Sequence, residues 1–191
     1  LTSEVWDTLI DIQDHLIDKF KSTGVEIHEH GMDRFNQPGW VNRVWTSETY
    51  RRAHIDVVDA RESKGLWMMH CCVFPHLTNN GPIFGLDVIA GERKITGFFH
   101  DYSRTVTATH PMIEALLQQL LDLSLDSIGA YLTDIGDFNK TSTHEKGKEA
   151  QNRYAHFQKQ NPHTPRTMTS LGLNEDDVRI FVQECLFPDI A

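Results

Sequence analysis

The stretch from His54 to Gly91 limits what this chain can fold into more than any other: HIDVVDARESKGLWMMHCCVFPHLTNNGPIFGLDVIAG. Within and just before it lie three short runs rich in Val, Ile, Trp and Phe, namely Arg52–Asp59, Leu66–Phe74 and Ile83–Ala90. Turn residues bound them: Ser63-Lys64-Gly65, then Pro75 and Asn79-Asn80-Gly81-Pro82, then Gly91. Runs of this length between Gly, Pro and Asn clusters predict strands. Their side chains alternate faces with a period of two. His54 therefore shares a face with Asp56, and His70 with Cys72. Gly85, Asp87 and Ile89 share another. Titratable side chains thus interrupt otherwise apolar strands, where a buried ionisable group is costly unless paired or functional.

The flanking sequence predicts further elements. A first helix runs to about Lys21, with Trp6, Leu9, Leu16 and Phe20 on its apolar face and Asp7, Asp11, Asp14 and Asp18 on its wet face; Gly24 ends it. Trp40–Thr46 and Lys94–Tyr102 read as strands on either side of the central block, so the short turns favour an antiparallel meander. Pro111 to about Ile135 reads as a long amphipathic helix, and 136–148 as a polar loop, a candidate lid. Glu149–Gln160 reads as a short helix broken at Asn161-Pro162, and Asn174 as the cap of a last helix. His28, His30 and Asp33 could ligate a metal, but their spacing is weak and nothing completes a shell, so no metal is expected.

The length of 191 residues suits one domain spanning 1–191. A net charge of −9 argues against nucleic acid as the main partner. No apolar run is long enough for a membrane span, and the N-terminus has no basic, continuously apolar leader. Cys71, Cys72 and Cys185 are odd in number, and the adjacent pair points to opposite faces; free thiols in a reducing, cytoplasmic setting are expected. There is no C-x-x-C for a cluster or zinc and no G-x-G-x-x-G for a nicotinamide cofactor.

Five pieces in order carry a resemblance: Asn42-Arg43, Tyr50-Arg51-Arg52-Ala53-His54, Lys64-Gly65-Leu66, His70-Cys71-Cys72-Val73-Phe74-Pro75 and Pro82-Ile83-Phe84-Gly85-Leu86-Asp87-Val88-Ile89-Ala90-Gly91. They resemble the ferredoxin-dependent bilin reductases. The resemblance implies a three-layer α/β/α sandwich with a central antiparallel sheet. It places biliverdin IXα, an open-chain tetrapyrrole, between that sheet and the C-terminal helices. It implies an oxidoreductase acting on a CH–CH group, with no tightly bound cofactor, a monomer taking electrons from reduced 2Fe–2S ferredoxin. By the same resemblance Asp87 is the central acid, and His70 its partner across the bilin. His54 acts through a hydrogen-bond or water relay to His70, and Asp56 stands at the family's glutamate. Gln158, Asn161 and Arg166 match a segment that contacts the bilin propionates, with His163 replacing the family's lysine. An acidic ferredoxin would need a local basic patch, for which Arg51, Arg52, Arg61, Lys64, Arg93 and Lys94 are candidates. The pattern departs after Asp101-Tyr102-Ser103-Arg104-Thr105, where a family segment with a propionate-gripping arginine has no counterpart.

In phycocyanobilin-forming members the glutamate supports reduction of the D-ring vinyl group. Asp56 is one methylene shorter, by ~1.5 Å. The expected reaction is therefore a four-electron reduction that spares the vinyl, through 15,16-dihydrobiliverdin to phycoerythrobilin. The alternatives are phycocyanobilin as product, or a non-catalytic bilin carrier on the same scaffold. Asp87 and His70 favour the enzyme over the carrier.

Overall fold

Short turns between strands of period two leave each strand only its sequence neighbours to pair with, and the computed structural model follows that rule throughout. It describes residues 3–92, 94–103, 131–132 and 143–191. Strands β1 (Val25–Ile27), β2 (Trp40–Thr46), β3 (Tyr50–Ala60), β4 (Leu66–Pro75), β5 (Ile83–Gly91) and β6 (Ile95–Ser103) form one sheet in sequence order, every pair antiparallel. Helix α1 (Ser3–Thr23) covers one face, packing Leu9, Leu16 and Phe20 on Trp45, Ile55 and their neighbours. The other face carries α3 (His144–Gln158), α4 (His163–Ser170) and α5 (Glu175–Ile180), after the single turn α2 (Arg61–Lys64) that joins β3 to β4. Helix α5 continues as a π-helical turn, Phe181–Leu186. The result is the expected helix–sheet–helix sandwich. No helix among the described residues is long and apolar enough to cross a membrane.

The C-terminal layer is locked to the sheet by aromatic packing. Phe181 meets Phe35 and Trp40 edge-on at centroid distances of 4.7 and 4.9 Å. Arg34 pairs with Asp177 at the start of α5, and the buried Arg52 donates to the Cys185 carbonyl at 3.0 Å. Helix α3 lies so close to the β4–β5 connection that a Cβ at Gly147 would collide with the Leu77 carbonyl.

Strand positions match expectation to within one or two residues at each end. Other elements do not. β1 and a 3-10 turn at His30–Phe35 fall in a segment without strong periodicity. Helix α3 starts at His144, inside the expected loop, because the Thr143 side chain caps the Lys146 N–H. Helix α4 forms where a break is expected, since Pro165 falls in its first turn, where a missing N–H is tolerated. The helix expected over Pro111–Ile135, most of the 136–148 loop, Arg93, and the departure from the family pattern after Ser103 lie outside the described residues, apart from Tyr131 and Leu132.

Candidate active site

Register turns the alternating pattern into a constellation. Asn42 stands opposite Asp56, Asp56 opposite His70, His70 opposite Asp87, and Asp87 opposite Phe99. Directly opposed residues share a face with Cβ atoms about 4.5–5.5 Å apart, so these residues form one row across five strands. His54, Cys72 and Gly85 form the adjoining row. A Cβ at Gly85 would come within 2.7 Å of Asp101 Oδ1, so only glycine there leaves room for that carboxylate on β6.

Neighbouring side chains then divide the titratable groups into two kinds. His70 Nδ1 and Asp87 Oδ1 are 2.7 Å apart, and the Asp87 side chain is 46% exposed against 14% for His70. Burial alone would depress the His70 imidazole. The Asp87 carboxylate, the hydrogen bond to it and the neighbouring Cys72 outweigh burial and hold it well above its ordinary value. This environment favours the protonated imidazole, which donates Nδ1–H to Asp87 and carries a second proton on Nε2. Its Nε2 is buried and finds no hydrogen-bond partner among the described residues, which leaves that proton available to a bound molecule. Asp56 is the opposite kind: 2% exposed, with Trp40 Nε1 donating to its Oδ1 at 2.6 Å. Burial pushes its carboxyl up to about 6, against the pull of His70 and the Trp40 hydrogen bond. His54 is fully buried. Burial, then the positive Arg52 and His70, hold it well below its ordinary value, so it is neutral. Its Nε2 lies 3.1 Å from Asn42 Oδ1.

The roof over this row is aromatic. Phe187 meets the His70 ring at 6.0 Å, and Tyr154 meets Phe187 at 6.3 Å and Phe74 at 6.1 Å. The Tyr154 hydroxyl reaches Cys72 Sγ at 4.0 Å. Phe99 extends the floor as an exposed apolar surface beside Asp87. The arrangement sets an apolar, aromatic roof over a floor of polar and titratable side chains, with Phe99 at its margin.

Several expectations need correction. Asp87 and His70 do not face each other across a gap; adjacent strands pair them directly. Of the direct hydrogen bond or water relay expected from His54 to His70, the structure contradicts only the direct bond. The two rings are 6.2 Å apart, and Asn42 takes the His54 Nε2 contact. Gln158 ends α3, Asn161 spends its Oδ1 on the His163 N–H at 3.0 Å, and Arg166 is exposed on α4. Arg52 is no docking cation: it is 4% exposed and bonds Glu29 at 2.9 Å through both nitrogens of a bidentate pair. The other cations split between sheet ends. Arg51, at the start of β3, bonds Gln151, whereas Arg61 and Lys64 follow its far end, roughly 30 Å away along a strand of this length. Among the described residues, Arg51, Arg61 and Lys64 form no single patch. Trp40, Tyr154 and Phe187 were not legible as site residues, although the β2–β3 hairpin already places Trp40 diagonally beside Asp56.

A cavity of about 740 Å³ lies on the α1 side of the sheet, bounded by Ile17, Val41, Arg43, Ile55, Asp59 and Arg61. Size would favour it, but chemistry does not. Its cations are already paired, Arg43 with Glu26 and Arg61 with Asp59. The three cysteines are free and buried.

The sandwich of helices around an antiparallel sheet is the bilin reductase fold, and the chain belongs to the ferredoxin-dependent bilin reductase family. The solved structure of PcyX is 42% identical to it, with a TM-score of 0.83, covering 96% of this chain and 99% of that one. Phycocyanobilin:ferredoxin oxidoreductases of Synechococcus sp. strain PCC 6301 and strain CC9902 are each 34% identical, over 67 and 64 residues. Those matches span about a third of this chain and only 26% and 25% of the curated relatives' own length. Phytochromobilin synthase from tomato, solved in complex with biliverdin, is 13% identical with a TM-score of 0.63 over 95% of this chain and shares the fold. No family model matches the sequence.

Proposed function

We propose that this chain is a ferredoxin-dependent reductase that converts biliverdin IXα to phycoerythrobilin. The conversion takes four electrons and four protons, the first two of each saturating the 15,16 double bond to give 15,16-dihydrobiliverdin. Reduced ferredoxin supplies the electrons one at a time, and the protein supplies protons. His70 and Asp87 act as the proton-donating pair: His70 gives a proton from Nε2, and Asp87 takes up the Nδ1 proton of His70 and passes it to the ligand from its exposed side. A positioned donor must lie within hydrogen-bond reach of the atom it protonates. The observation that carries the vinyl-sparing outcome is the state of Asp56. Besides being short, it is held by Trp40 at 2.6 Å and is 2% exposed, so its carboxyl is kept in the sheet face rather than offered to the cleft. His54 positions Asn42 and stays neutral. Gln158, Asn161 and Arg166 are proposed to meet the propionates along the helical side.

Anaerobic incubation with biliverdin IXα, ferredoxin, ferredoxin reductase and NADPH, followed by chromatography, tests this reading. Phycoerythrobilin is the expected product. Phycocyanobilin as the dominant product would overturn the role given to Asp56. A stable bound-bilin spectrum without turnover would make the chain a carrier.

A further inference from the structure

We propose that His28, His30 and Asp33 form a divalent transition-metal site at the β1 edge of the sheet, separate from the His–Asp row. The sequence spacing alone is weak, but the fold brings three ligand atoms to one point. His28 Nε2 lies 3.1 Å from His30 Nδ1 and 3.1 Å from Asp33 Oδ2, and His30 Nδ1 lies 3.6 Å from Asp33 Oδ2. A tetrahedral zinc ion about 2.0–2.1 Å from each ligand holds its ligand atoms roughly 3.3–3.4 Å apart. The observed triangle brackets that value, and an ion would sit roughly 0.8 Å above its plane with each bond near 2 Å.

Hydrogen bonding alone serves this triangle poorly. His28 Nε2 carries either one proton or one lone pair. It cannot give full-strength bonds to the carboxylate and to the second imidazole at once. A cation accepts all three lone pairs together.

The backbone around the ligands is pinned, so the triangle is built rather than accidental. Ile27, just before His28, pairs with Val44 in the sheet. Glu29, between the two histidines, is clamped by the buried Arg52. Met32 and Phe35, on either side of Asp33, are each 3% exposed in the core. The ligand side chains themselves remain open to solvent, and a neighbouring cavity of about 260 Å³ touches His28 and Asp33, leaving room for water in the remaining coordination positions. Two imidazoles and one carboxylate form a borderline set suited to zinc and its neighbours in the series, not to calcium or magnesium. At its far end the same segment places Asn36 Oδ1 on the Asn42 N–H at 2.7 Å, so an ion here braces the strand residue that holds His54.

The test is calorimetric titration of untagged, metal-free protein with zinc chloride, alongside His30→Ala, Asp33→Asn and His70→Gln. One zinc per chain at micromolar affinity is expected, weakened at least about tenfold by either His30→Ala or Asp33→Asn and unchanged by His70→Gln. Zinc should also raise the thermal midpoint of the wild type and not of His30→Ala. The His30 side chain is 89% exposed, so its removal leaves the fold intact, which circular dichroism verifies. Absence of saturable binding, or equal affinity in His30→Ala, overturns the site. Loss of binding in His70→Gln assigns the ion to the cleft instead.

Discussion

On the α1 side of the sheet, Trp45, Ile55, Met69, Cys71, Phe84 and Val88 present a continuous apolar surface to Leu9, Leu16 and Phe20. On the side of α3–α5 the same strands present Asn42, His54, Asp56, His70 and Asp87, with apolar side chains confined to the margins. One strand thus serves two purposes in alternate residues. The α1 face contributes burial, at roughly 25 cal/mol per Å² of apolar surface. The other face holds a neutral His54 and a carboxyl at Asp56 that burial disfavours when charged. The lesson is that the unfavourable groups are tolerated because they are backed, one residue away in sequence, by side chains that stabilise the same strands.

If the two faces are separable, substitutions on one should change chemistry and on the other stability. Asp87→Asn is the strongest test, with turnover expected to fall about a hundred- to ten-thousand-fold while biliverdin still binds in an absorbance titration. Near-normal turnover would place the proton path elsewhere. On the opposite face, Met69→Ala should lower stability by about 2–5 kcal/mol in urea denaturation, with turnover per folded molecule unchanged; a large loss of turnover would mean that the faces are coupled.

Asp56→Asn sharpens the comparison on the reactive face itself. The folded state holds the Asp56 proton more tightly than the unfolded state does. The penalty is therefore absent below the ordinary carboxylate range, grows as pH rises through about 6 and is complete above it. The asparagine can keep accepting from Trp40. The variant should be about 1–3 kcal/mol more stable than wild type near pH 8, and the gap should close below about pH 4. A gap independent of pH would show that burial does not govern this carboxyl. The smallest effect is expected from Asp56→Glu, a partial shift in product toward phycocyanobilin by chromatography. A complete switch would mean that side-chain length alone selects the reduced group.

The floor of the site was legible in the sequence, and its surroundings were not. Period two and the turn residues placed His54 with Asp56, and short hairpins set them beside His70 and Asp87. Partners that depend on rotamers or on distant segments left no local trace. Trp40 reads as a core residue until the β2–β3 register puts it beside Asp56. Arg52 reads as a surface cation at a strand end until the C-terminal turn closes over it. Gly147 counts against a helix in any local reading, yet the approach of α3 to Leu77 requires it. His28, His30 and Asp33 needed a 3-10 turn to converge, and its pattern is too short to show.

The strand order has a consequence for how the protein is made. Every pairing in the sheet joins consecutive strands, so each closes only a short loop and forms early. Asp56, His70 and Asp87 meet within two successive hairpins. The roof depends instead on contacts between residues far apart in the chain, 143 positions for Arg34 and Asp177 and 133 for Arg52 and Cys185. During synthesis the β3–β5 floor can be complete while the segment bearing Phe181 and Phe187 is still inside the ribosome. Closing the cleft therefore follows formation of its floor, and a tetrapyrrole present in that interval would meet an open platform instead of a finished pocket.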